Sequence, residues 1–121
     1  GMIGGHDPDC RRPFNWKYTE DPEKVALRDY YKKLIQIRKE NSCLRTGSFN
    51  TLLADGMVYS YLRSDENSSI AVILNNDTKN HDVKIPLDAN YVIDLLTEKE
   101  YLIKDGILDI ELNAMSGAVL K

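Results

Sequence analysis

The sequence is poor in the residues that build disulfide frameworks and metal centres. It contains only two cysteines, Cys10 and Cys43, together with two histidines and one tryptophan. The cysteines are far apart and lack the CxxC spacing of zinc and redox motifs. His6, Asp7, Asp9 and Cys10 cluster in the sequence, but their spacing matches no structural zinc pattern. We therefore expect two reduced thiols in a cytoplasmic protein, with no metal and no cofactor.

The chain also lacks a block of charge of one sign and a long apolar run. Its net charge is −3, and acidic and basic residues are mixed along the sequence. Without a basic stripe we expect no nucleic-acid partner, and without a long apolar run we expect no membrane span. A chain of this length can bury a single core. His81 stands in a polar stretch, and we expect its side chain to be solvated.

One long helix is predicted over residues 22–40. Asp21 followed by Pro22 is a typical helix start, because aspartate caps the helix and proline suits the first helical position. Apolar residues recur every three or four positions and form one stripe of an amphipathic helix. The members of this stripe are Leu27, Tyr30, Tyr31, Leu34, Ile35 and Ile37.

Beyond the helix the apolar period changes to two, which is typical of strands. About eight short strands are predicted, over residues 50–54, 57–63, 70–75, 82–87, 91–96, 100–103, 107–112 and 118–120. Asp55-Gly56 and Asp105-Gly106 predict hairpin turns. Short strands separated by frequent turns predict an antiparallel sandwich. Alternation from Met57 places Tyr59 and Tyr61 on the inward face.

A polar, turn-rich loop over residues 4–16 precedes the helix. Pro8 and Pro13 restrict its backbone. Asp7 and Arg11 can turn toward one point, where a carboxylate and a guanidinium hydrogen-bond neighbouring hydroxyls, as sugar recognition requires. Asp–Arg pairs in loops are more often structural ion pairs, and this alternative stays open.

The loop sequence, Gly-Gly-His-Asp-Pro-Asp-Cys-Arg-Arg-Pro-Phe-Asn-Trp, resembles the segment after the last catalytic-barrel strands of the α-amylase superfamily (glycoside hydrolase family thirteen). Within that superfamily, the loop is similar to the corresponding segment of the neopullulanases, cyclomaltodextrinases and maltogenic amylases. Residues 30–41 resemble the last helix of the catalytic barrel. Residues 44–49 resemble the stretch that connects this helix to the next domain. Residues 94–98 and 112–120 resemble the end of the C-terminal sandwich, often called domain C.

This resemblance implies a mainly β fold, an antiparallel two-sheet Greek-key sandwich preceded by a loop and one amphipathic helix. Residues 1–47 would end the catalytic barrel and residues 48–121 would form the C-terminal domain. In relatives the matching loop lines the cleft, so Asp7 and Arg11 are expected to contact a glucose unit on the non-reducing side of the scissile bond. The implied partner is an α-glucan oligosaccharide, bound through the parent enzyme.

Enzymes of this family cleave α-glucosidic bonds with retention, which needs two carboxylates about 5 Å apart. In relatives these carboxylates lie on the barrel, and their patterns are not found here. We therefore predict no catalytic residue and no hydrolase activity for the isolated chain.

Two alternatives of other classes remain. A stand-alone carbohydrate-binding module would show an exposed aromatic platform, for which Trp16, Tyr59, Tyr61 and Tyr101 are candidates. An interaction domain would use an apolar face of the helix, and a homodimer through that face is one way to cover it.

Overall fold

The structure, a computed structural model, describes residues 4–121. Residues 1–3, with which the predicted barrel-end domain begins, lie outside the described residues. The chain divides into two compact units, Gly1–Gln36 and Ile37–Lys121, which are described separately below. Antiparallel sheets and one main helix confirm the predicted fold class. The predicted domain boundary after residue 47 stays a prediction.

The long helix α1, Pro22–Glu40, has the predicted bounds. It begins where Asp21 caps it, because the Asp21 carboxylate accepts hydrogen bonds from the backbone N–H groups of Glu23 and Lys24. An ion pair of 2.9 Å between Lys24 Nζ and Asp21 Oδ2 reinforces this start. The capping signal read from the sequence is therefore the interaction that the structure uses.

The apolar stripe of α1 is largely uncovered in the first unit. Four of its members are exposed: Leu27, Tyr30, Tyr31 and Ile35. Ile37, which already belongs to the second unit, is buried. An exposed stripe is compatible with the predicted homodimer, which stays a prediction.

The second unit contains the end of α1, a short helix α2, Cys43–Thr46, and eight strands. Every predicted strand is present, with ends shifted by a few residues at most. The strands are β1 Ser48–Asp55, β2 Val58–Ser64, β3 Ser69–Asn75, β4 His81–Pro86, β5 Tyr91–Ile93, β6 Glu100–Leu102, β7 Ile107–Leu112 and β8 Ser116–Leu120.

One layer of the sandwich is a four-stranded antiparallel sheet in the order β1-β2-β3-β8. The other strands form two ribbons, β4–β7 and β5–β6. The register of the edge strand β1 shifts between Thr51 and Leu53, which marks a β-bulge. At the opposite edge, Ile93 and Lys121 exchange backbone hydrogen bonds just beyond β8.

The two predicted turns have different outcomes. Asp55-Gly56 joins β1 to its partner β2, as predicted, with Gly56 at a φ of +54°. Asp105-Gly106 also forms a tight turn, closed by a bridge between Lys104 and Ile107. The strands beyond it separate, however, because β6 pairs with β5 and β7 pairs with β4. The predicted turn is therefore confirmed, but the two strands that flank it do not pair with each other.

The core lies between the four-stranded sheet and the β4–β7 ribbon. Its buried members are Val58, Ala71, Ile73, Val83, Ile85, Leu87, Val92, Leu108, Ile110, Leu112, Ala118 and Leu120. In β2, Val58 and Ser60 are buried, so Tyr59 and Tyr61 lie on the outer face. Their predicted inward orientation is wrong, because Met57 lies in the turn and does not set the alternation of the strand.

A polar network joins the loop after β3 to the turn before β8. The Asn75 amide donates to the backbone carbonyls of Lys79 and Asn113, each over 2.8 Å.

His81 is not merely solvated, as the sequence suggested: its Nε2 lies 2.9 Å from Oδ2 of Asp77. This hydrogen bond is the main cause that holds the pKa of Asp77 below its ordinary value of 3.8.

We expect the stability of the chain to fall less steeply in acid when Asp77 is replaced by asparagine. The pKa of Asp77 is lower in the folded chain than in the unfolded chain, so its stabilisation is present above about pH 4 and is lost as the pH falls through the folded-state value. Urea unfolding at a series of pH values between about 6 and 2 measures this. His81→Ala should flatten the same part of the curve, and unchanged slopes in both variants would contradict the assignment.

Candidate functional site

The loop predicted to bind sugar is built around a short 3₁₀ turn, Asp9–Arg11. Backbone N–H groups of Asp9 and Cys10 both donate to the carbonyl of His6, over 2.7 and 3.3 Å. The peptide bond between Asp7 and Pro8 is cis. The 3₁₀ turn and its backbone hydrogen bonds hold the side chains of Asp7 and Arg11, four residues apart, on one side of the turn.

Asp7 and Arg11 form a forked ion pair. Arg11 Nε lies 2.6 Å from Asp7 Oδ1, and Arg11 Nη2 donates to Asp7 Oδ2 over 2.8 Å. The structure therefore brings together the two residues singled out from the sequence. It also shows the ion pair expected if the two residues have only a structural role. The observed geometry is therefore compatible both with sugar binding and with a structural ion pair.

The accessibility of this pair matters more than its strength. The side chains of Arg11 and Asp7 are 71% and 65% exposed. Ion pairs this exposed add little to stability. The Arg11 fork still has N–H groups to donate, and the Asp7 oxygens still have lone pairs to accept with. The pair thus presents adjacent donors and acceptors, as two neighbouring sugar hydroxyls require.

A second ion pair, Asp9–Arg12, stands beside the first. Arg12 Nη2 lies 3.3 Å from Asp9 Oδ1, and Arg12 Nε donates to the Asp9 carbonyl over 3.2 Å. Its geometry is looser than that of Asp7 and Arg11, and its exposure is comparable. It provides an internal control for the first pair.

Three aromatic rings follow in the same unit, and sequence reasoning singled out only one of them, Trp16. The Phe14 and Trp16 rings meet edge to face with centroids 4.9 Å apart. Phe14 meets Tyr18 in the same manner at 5.8 Å. The spacing of aromatics at every second position was the available signal for this cluster.

Residues 4–121, which the structure describes, also bear on metal binding and membrane crossing. Within that range no group of three His, Cys, Asp or Glu side chains could hold a metal ion. None of the helices described there is both long enough and apolar enough to cross a membrane.

Comparison with known proteins places these features in a family. A cyclomaltodextrinase of Thermoanaerobacter pseudethanolicus is 47% identical over 79 residues, which cover 65% of this chain and 13% of the relative. Neopullulanase 2 of Thermoactinomyces vulgaris is 32% identical over 125 residues, 99% of this chain and 21% of the relative. The chain belongs to the α-amylase family. No protein-family model matches it.

A solved α-amylase shows the same fold. The α-amylase of Geobacillus thermoleovorans, complexed with acarbose, superposes with a TM-score of 0.84 at 26% identity, over 98% of this chain and 26% of that chain. The second unit matches the C-terminal β-sandwich domain of α-amylase family enzymes. The chain spans only 13% and 21% of the two curated relatives.

Proposed function

We propose that this chain is the C-terminal part of a glycoside hydrolase that cleaves α-glucosidic bonds in maltooligosaccharides, cyclodextrins or pullulan. Residues 1–47 would complete the catalytic barrel, and residues 48–121 would form the C-terminal domain. The strongest support is the similarity to neopullulanase 2, which covers 99% of this chain but 21% of the relative. The α-amylase that was solved with acarbose supports an oligosaccharide ligand.

In this proposal the chain binds substrate and does not break its bonds. The two carboxylates of a retaining mechanism would come from the rest of the enzyme. Asp7 would accept a hydrogen bond from one glucose hydroxyl, and Arg11 would donate to its neighbour. Because the fork already pairs the two side chains, they would meet the sugar without first losing conformational freedom.

The sandwich would serve a structural role by packing against protein. On its outer face the Phe49 and Tyr61 rings are stacked, with centroids 4.8 Å apart and planes inclined by 22°. Each ring covers one face of the other, and Tyr61 is itself partly buried, whereas a sugar platform needs an exposed face. Tyr101 is also occupied, because the Lys99 ammonium lies 4.7 Å from its ring centroid. These arrangements favour protein packing over a stand-alone binding module in the second unit.

A chimeric enzyme tests the proposal. This chain would replace the corresponding C-terminal region of neopullulanase 2 of Thermoactinomyces vulgaris, whose similarity covers 99% of this chain. The chimera is expected to hydrolyse pullulan while the isolated chain does not. Asp7→Ala and Arg11→Ala should each lower kcat/KM about 10- to 100-fold, since each removes hydrogen bonds between a charged group and substrate.

The neighbouring ion pair supplies matched controls for this experiment. Asp9→Ala and Arg12→Ala alter the same type of interaction in the same loop and should leave kcat/KM nearly unchanged. A folded chimera without activity would refute the proposal. So would equal losses from both pairs, or release of reducing sugar from maltotriose by the isolated chain.

A further inference from the structure

Trp16 is exposed to an unusual degree for its size. Its exposed fraction is 82%, and that of Phe14 beside it is 55%. Tryptophan carries a large apolar surface and an N–H donor, and it is usually well buried in folded chains. An indole held in the open, in a loop with two polar ion pairs, therefore needs an explanation.

The geometry of the cluster leaves part of the indole free for a ligand. Phe14 meets Trp16 at an interplanar angle of 70°, an edge-to-face contact that can cover only one face of the indole. Phe14 is in turn held by Tyr18, and the Arg28 guanidinium lies 5.4 Å from the Tyr18 ring centroid. These contacts restrain the ring, and its exposed fraction of 82% leaves indole surface accessible to a ligand.

Trp16 also lies close to the ion pair along the chain. Five residue steps separate it from Arg11, so the two Cα atoms can be at most about 18 Å apart. Arg12 has an extended backbone, and Pro13 restricts the next step. Both elements thus belong to one short loop, within the length of a single oligosaccharide.

We infer that Trp16 is a stacking platform for a second glucose unit of the α-glucan that Asp7 and Arg11 bind. The C–H groups on one face of a pyranose ring would pack on the exposed indole surface, while Nε1–H would donate to a hydroxyl. The inference rests on the proposed function, because it takes the ligand class from it. It adds a binding residue and no chemical step.

The sole tryptophan of the chain makes the test direct, because all tryptophan fluorescence reports Trp16. The isolated chain would be titrated with maltoheptaose and, as a control for linkage, with cellopentaose. We expect a saturable change with maltoheptaose only, with a dissociation constant on the order of millimolar because one loop offers few contacts. Asp7→Asn and Arg11→Gln should weaken the affinity about tenfold, whereas Asp9→Asn and Arg12→Gln should not.

Two results would overturn the inference. The first is a fluorescence change that does not saturate with maltoheptaose, together with an indole Nε1–H NMR signal that does not shift. The second is the same response to maltoheptaose and to cellopentaose. The chimera separates this failure from that of the proposed function. An active chimera sensitive to Asp7→Ala, combined with an unresponsive Trp16, refutes the inference alone. Saturable maltoheptaose binding combined with a folded but inactive chimera supports the Trp16 site and refutes the proposed hydrolase.

Discussion

Replacing Asp94 by alanine is expected to lower the free energy of unfolding by about 4 kcal/mol. Asp94 is a buried carboxylate, with 3% of its surface exposed. Its Oδ1 accepts the backbone N–H groups of Leu96 and Val119, each over 3.1 Å. Its Oδ2 accepts the Thr97 hydroxyl over 2.6 Å. One side chain thus satisfies three donors.

The size of the effect follows from what the alanine would leave behind. A buried donor without a partner costs about 1–3 kcal/mol. The N–H of Val119, a buried residue 25 positions away, would lose its partner in the side chain, and the bond that ties the loop after β5 to β8 would be lost. Water can reach some of the other donors, so the sum is smaller than three full penalties.

Urea unfolding of the variant measures this loss. Asp109→Ala is the matched control, since Asp109 pairs with Lys84 over 3.1 Å at the surface and should matter little. Asp94→Asn should cost less than alanine, because the amide keeps an oxygen for the backbone N–H groups and can donate to Thr97. A loss no larger than that of the control would show that Asp94 does not hold the loop.

Replacing Gly47 by alanine is expected to cost about 3 kcal/mol through overpacking. Gly47 joins α2 to β1, where a Cβ atom would lie 2.6 Å from the carbonyl oxygens of Cys43 and Ser64. Its φ of −67° suits any residue, so the penalty is steric. Both obstacles are backbone atoms, which cannot turn aside as a side chain can.

Relief of this clash would break existing contacts. The Gly47 N–H donates to the Cys43 carbonyl over 3.0 Å, and the Gly47 carbonyl accepts Arg63 Nη2 over 2.9 Å. Thermal unfolding of Gly47→Ala compares directly with Gly4→Ala, because a Cβ at Gly4 meets nothing within 4 Å. Equal melting temperatures for the two variants would contradict the close approach at Gly47.

Local signals in the sequence were sufficient to predict most elements of this fold. The cap at Asp21 defines the start of α1, and alternating apolar residues define β4 and β7. These features depend on neighbours along the chain, so they can be read without knowledge of the tertiary structure.

Features that depend on distant partners were missed. The orientation of Tyr59 and Tyr61 depends on which face of β2 meets the core. The prediction took Met57 as an inward-facing residue of the strand, and this assignment gave both tyrosines the wrong orientation. The role of Asp94 depends on Val119. The turn at 104–106 was recognised, but the partners of its flanking strands were not.

The candidate site was predictable to a similar extent. Spacing alone indicated that Asp7 and Arg11 could meet, and the forked ion pair bears this out. The support of Trp16 by Phe14 was not foreseen, since it requires the path of the loop. Whether Asp7 and Arg11 bind a glucose unit stays a prediction for the chimera to test.

The bulge in β1 has a consequence for the behaviour of the chain in concentrated solution. An edge strand offers unpaired N–H and C=O groups to which another molecule can add a strand, and this is a route to aggregation. At the β8 edge, hydrogen bonds between Ile93 and Lys121 occupy part of that ladder. At the β1 edge the irregular register between Thr51 and Leu53 twists the strand, so an incoming strand would find no continuous ladder to extend.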